Sequence, residues 1–176
     1  MTETSKKTKM LVINAMFAAL CTVLGYLAID AKVIKFTLES FPVLLGALLF
    51  GPGAGAIIGG LGTTISQLLG EYGITLTTPL WILPYAVCGF VAGSLAKRKN
   101  YEMNRGYILL TTVICELLVT ILNTGALYID SKIYGYYHPG IIVTMLLPRF
   151  LVCVGKGTAF GVLLPGIVAA LRKVIK

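Results

Sequence analysis

From Met10 to Ile29 the chain runs for about 20 residues without one charged side chain, the length a helix needs to cross the hydrocarbon of a bilayer. Comparable apolar runs follow at Phe41–Phe50 (short), Ala54–Leu69, Leu80–Ala96, Tyr107–Ile129 and Ile141–Leu171, the last long enough to tilt or protrude. Gly51-Pro52-Gly53 separates the second run from the third, because Pro52 has no N–H to continue a helix and glycine flanks it on both sides. With 57% hydrophobic and 12% charged residues in 176, one water-soluble core cannot hide the apolar surface. The expectation is an all-α integral membrane protein: a single domain over residues 1–176, a bundle of about six transmembrane helices behind a basic tail at residues 1–9. The first run is too long, and lacks a small-residue cleavage site, to be a cleavable signal peptide.

Orientation follows from the basic residues. With the N-terminus in the cytoplasm, Lys6, Lys7, Lys9, Lys97, Arg98, Lys99, Arg105, Arg172, Lys173 and Lys176 lie inside, and only Lys32, Lys35 and Lys132 outside. Both termini are therefore expected in the cytoplasm, at the cell membrane. The formal charge of +8 reads as topology, not as a nucleic-acid surface, since the inner basic residues fall in three separate pieces. Cys21, Cys88, Cys115 and Cys153 sit far apart inside apolar runs and read as small packing residues. One histidine gives no basis for a metal site, and no cofactor is implied.

Three ionisable residues fall inside the spans, and such residues mark function by default. Glu116 sits mid-span and pairs with Arg149 or Lys156, or serves a ligand. Arg149 lies about 12 Å below the outer end of its span, where a guanidinium fork suits a substrate carboxylate. Asn123 and Thr124 lie at similar depth and suit either interhelical or ligand hydrogen bonds. Tyr26, Lys35, Glu39, Trp81, Tyr85, Tyr128, Tyr134 and Tyr136 map to the outer end, whereas Tyr101 and Tyr107 mark the inner one. That asymmetry points to an aromatic pocket beneath the outer loops rather than to a symmetric interfacial belt. Ala15 with Ala19, and Gly55 with Gly59, give smooth small-xxx-small faces for a neighbour in this chain or a partner. No phosphate loop, H-E-x-x-H or G-x-S-x-G occurs, so neither ATP hydrolysis nor another enzyme activity is expected.

These residues in this order resemble the substrate-binding S components of energy-coupling factor (ECF) vitamin transporters: Ala15-xxx-Ala19 behind a basic tail, Leu49-Phe50-Gly51-Pro52 with Gly55-Ala56 and Gly59, Leu122-Asn123-Thr124, and Leu147-Pro148-Arg149. The Phe-Gly-Pro-x-x-Gly-Ala and Leu-Asn-Thr pieces look most like the folate family. The chain departs from that pattern at Tyr26 and Thr63, where folate-family members often carry Arg and Asp. The resemblance implies a water-soluble vitamin captured from outside, folate-like in the first instance, with pantothenate or another small vitamin as the alternative. Expected contacts are Arg149, Asn123, Trp81, Tyr85, Tyr26, Lys35, Glu39 and Tyr128. It also implies partners besides membrane lipid: a transmembrane T subunit, met by Ala15 and Ala19, and two ATPase subunits. A self-contained facilitator or channel is the other reading, and would need a polar path through both halves of the membrane.

Overall fold

A computed structural model of the chain describes residues 3–27, 29–30, 35–70 and 73–175. Among these, six helices follow in order: α1 (Glu3–Tyr26), α2 (Ser40–Phe50), α3 (Pro52–Leu69), α4 (Thr78–Arg98), α5 (Arg105–Ile133) and α6 (Pro139–Ile175). Each expected span has its helix. Four are individually long and apolar enough to cross a membrane, while α2 is shorter. At about 1.5 Å per residue, its 11 residues cover about 16 Å, half a hydrocarbon core. The backbone leading into α2 is not helical, within a bundle of six helices as expected. After α1 comes a minimal hairpin of β1 (Ile29–Asp30) and β2 (Lys35–Phe36), antiparallel with Ile29 opposite Phe36, then residues 37 and 38 without regular structure and a turn at Glu39, whose backbone (φ −52°, ψ −39°) leads into α2. A difference is at the start: α1 takes in the basic stretch from Glu3, whose Glu and Lys residues are good helix formers.

The turn between α2 and α3 forms where glycine and proline place it. Gly51 holds φ +95°, a conformation other residues resist, and Pro52 opens α3, where its missing N–H costs no bond. At the far end of α6, Arg172 donates to the Leu48 carbonyl at 3.3 Å and satisfies an oxygen that α2 leaves without an N–H.

Lipid tails are as apolar as leucine, so the helices gain from close packing rather than from burial alone. Small residues supply it. Gly55 and Gly59 of α3 face Gly89 and Tyr85 of α4, and a Cβ on Gly89 would collide with the Gly55 carbonyl oxygen. The smooth α3 face is thus used within the chain. Gly62 packs on Ala18 and Cys21 of α1, where Thr22 also donates to the Gly62 carbonyl at 3.0 Å. Gly157 and Gly161 of α6 lie on α5, and Thr112 donates to the Gly157 carbonyl at 2.9 Å. Leu44, Leu48, Ile58 and Leu164 fill the buried centre, while Leu110, Ile121, Val143 and Leu147 are exposed, as a lipid-facing surface requires.

Gly89→Ala should push α3 and α4 apart and cost roughly 1–3 kcal/mol. Melting of the detergent-solubilised protein would show it as a clear loss, whereas Gly166→Ala, with open space around its Cα, should leave melting unchanged.

Candidate functional site

Polar residues on α5 and α6 recur at helical spacing and so share one face. Glu116, Thr120 and Asn123 on α5 turn towards Arg149, Cys153 and Lys156 on α6, across a cavity of about 590 Å³. That is the size range of pockets for small organic ligands. Trp81 and Tyr85 of α4, Gln67 of α3 and Thr37 and Glu39 from the stretch before α2 complete the walls. Non-helical backbone is tolerated at membrane depth only where protein or a cavity covers it, and this stretch meets that condition: Thr37, Glu39 and Ser40 are all buried.

At the deep end, Lys156 Nζ lies 2.9 Å from Glu116 Oε2 and donates to the Thr37 carbonyl at 3.1 Å. The pairing left open by the sequence therefore goes to Lys156. The Thr37 hydroxyl lies 3.2 Å from the Tyr85 hydroxyl, so the stretch before α2 is held from α4 and α6 at once. About two turns along α6 from Lys156, Arg149 Nη1 donates to Thr124 Oγ1 at 3.3 Å and meets no carboxylate among the described residues. Pro148, immediately before it, lacks the N–H that would bond the carbonyl one turn earlier, a polar feature beside the guanidinium. Two acceptors on the wall are buried without a hydrogen-bond donor: Glu116 Oε1 and Asn123 Oδ1. A bound molecule with N–H groups would satisfy both, and leaving them unmet costs about 1–3 kcal/mol each.

The mouth is tied by Asp130, which accepts hydrogen bonds from the hydroxyls of Thr77 and Tyr136. These join the α3–α4 connection, the end of α5 and the α5–α6 connection over the cavity, alongside Thr75 and Tyr134.

Of the residues singled out from sequence, Arg149, Asn123, Trp81, Tyr85 and Glu39 share this cavity. Tyr26 does not: it ends α1 with 67% of its surface exposed. Tyr128 does not either, because its position on α5 turns it outwards, where its ring meets Tyr137 edge-on at 5.4 Å and Lys132 lies near both rings. Glu39, expected at the outer end as a contact, lines the cavity wall, where the stretch before α2 dips between the helices. The side chain of Lys35 lies outside the described residues. Ala15 and Ala19 are exposed on α1. Sequence reasoning missed Thr37, Gln67, Thr75 and Asp130 as wall residues. For Asp130 a signal existed, since it continues the helical spacing from Glu116 and Asn123. For the other three, which non-helical backbone or a single polar side chain supplies, no periodicity exists to find them.

Comparison with known proteins accords with this geometry. The sequence profile of the ECF transporter substrate-specific component family matches residues 9–175. Three solved structures share the fold. FolT bound with folic acid aligns with TM-score 0.66 at 21% identity, over 86% of this chain and 89% of that one. The S component of a bacterial ECF transporter gives 0.68 at 18% identity, over 97% and 99%. The S component for biotin from an ECF-type ABC transporter gives 0.69 at 20% identity, over 98% and 95%. The chain thus belongs to the substrate-specific components of ECF transporters, multi-pass membrane proteins that bind a transport substrate.

Proposed function

We propose that this chain captures a water-soluble vitamin from outside the cell and that the vitamin is folate-like in build: a flat heterocycle edged with N–H donors, carrying a carboxylate. The observation that carries this reading is the division of the cavity wall, with the Arg149 guanidinium at one level and the unmet acceptors of Glu116 and Asn123 at another. Arg149 would hold the carboxylate in a bidentate pair. Asn123, Glu116 and Glu39 would accept from the ring edge, and Trp81 and Tyr85 would lie against its faces. A second reading, a smaller vitamin with one carboxylate such as pantothenate, is favoured by the charge balance. The wall holds Glu39, Glu116 and Asp130 against Arg149 and Lys156, which does not favour a dianion.

Several features support capture from outside rather than free passage. The basic α4–α5 connection and the basic end of α6 lie away from the mouth formed by Thr75 and Tyr136, which sets the mouth outside if the basic ends are cytoplasmic. Beyond the Glu116–Lys156 pair Ile108, Leu164 and Val168 are buried, and the hydroxyls of the buried Thr111 and Thr112 are turned to backbone carbonyls. A pocket closed on the inner side needs another device to release its ligand. A T subunit with two ATPase subunits would supply it, docking on the exposed α1 face at Ala15 and Ala19.

Trp81 is the chain's one tryptophan and stands in the cavity wall, so its fluorescence reports occupancy. Titration with folate and with pantothenate should give saturable quenching by one of them, and Arg149→Ala should weaken it roughly 10–100-fold. Equal affinity in that variant removes Arg149 from the site, and no response to either vitamin defeats the ligand assignment. Ala15→Trp should abolish uptake and co-purification with the T subunit while calorimetric binding stays unchanged. Normal co-purification would assign the α1 face to lipid.

A further inference from the structure

Lys156 stands between two spaces of different character. On one side is the polar cavity; on the other is an apolar cleft between α1 and α6, lined by Leu24, Leu38, Phe41, Ala159, Phe160 and Leu163. The stretch at residues 37–39 runs between them. On the α6 side, the described hydrogen bond that holds this stretch is the one from Lys156 Nζ to the Thr37 carbonyl. The ammonium is in turn fixed by Glu116, a carboxylate with 1% of its side chain exposed. The aromatic contact nearby, Phe41 edge-on to Phe160 at 5.3 Å, is made by the second residue of α2 and holds the start of that helix.

We infer that Lys156 is a positioning residue: with Glu116 as its anchor, it latches residues 37–39 across the flank of the cavity, sets the Glu39 carboxylate in the wall, and closes the cavity towards the apolar cleft. The pair is more than an ion pair between neighbouring helices, because α5 and α6 already pack through Gly157, Gly161 and the bond from Thr112 to the Gly157 carbonyl. What the ammonium adds is a donor to a third segment. The latch is also wired to occupancy. Glu116 holds Lys156 with one oxygen and presents the other, Oε1, unmet. A ligand donor on Oε1 would bind the same carboxylate that fixes the latch, so occupancy and closure would favour one another.

This rests on reading the cavity as the ligand site, but its test needs no ligand. Hydrogen–deuterium exchange of the ligand-free, detergent-solubilised protein reports the amides of residues 37–41 separately from those of α5 and α6. Lys156→Met keeps the stem and removes the donor, and should speed exchange of that stretch roughly 10–100-fold, with lowered melting from the stranded Glu116 charge. Lys156→Arg should keep exchange slow. The double variant Glu116→Gln with Lys156→Met is decisive and also serves if the single variant does not fold. Removing both charges should restore melting while exchange at 37–41 stays fast. Exchange that remains slow in either methionine variant, or that recovers together with melting, overturns the latch and leaves a structural ion pair.

Discussion

Hydrocarbon accepts neither a lone charge nor a bare backbone carbonyl, and the interior of this bundle contains both. Lys156 answers the two demands with one ammonium. It pairs with Glu116 at 2.9 Å and donates to the Thr37 carbonyl at 3.1 Å. Remove it, and Glu116 becomes a buried charge without a partner while the stretch at residues 37–39 loses a satisfied carbonyl. Keep it, and α2 can be only 11 residues long, because the non-helical chain before it is covered beside a polar cavity. The cavity exists where the helix does not.

The same economy governs packing. Helices α3 and α4 approach until the Gly55 and Gly89 backbones touch, so no side chain stands between them. That close contact brings Tyr85, one turn before Gly89, to the Thr37 hydroxyl at 3.2 Å. The cavity wall is thus set by glycines that never reach it. On the other side, Gly157 and Gly161 bring α6 onto α5 and hold Lys156 facing Glu116. Two glycine-lined seams define the pocket, and the polar residues occupy the space they leave.

The sequence made the helices legible because hydrocarbon thickness and the Gly-Pro turn leave few choices. All six apolar runs became helices, with ends shifted by a few residues. Arg149, Asn123, Trp81 and Tyr85 were legible as candidates because polar and aromatic groups are rare in such spans. Chain position alone could not tell which aromatic residues turn inwards. Tyr128 and Asn123 share a helix, but five residues of separation turn them to different faces. Glu39 was legible as a contact and does line the cavity, but the path that brings it there was not. Position in a connection says nothing of whether the connection dips, and the dip of residues 37–39 is set by Tyr85 and Lys156, distant in sequence.

Charge placement then separates two tasks within one fold. The cavity wall holds more carboxylates than cations, yet Arg149 is the cation left without a carboxylate among the described residues, while Lys156 is committed to Glu116. An arginine suits the first role because it stays charged and forks towards a planar acid; a lysine suits the second because a compact ammonium can reach a carboxylate and a carbonyl at once. Exchanging them would not be conservative. An ammonium at position 149 would give up the second hydrogen bond to an acid. A guanidinium at position 156 would keep both contacts only by turning its fork between Glu116 and Thr37, which is why arginine there tests whether the donors, rather than the charge alone, hold the stretch in place.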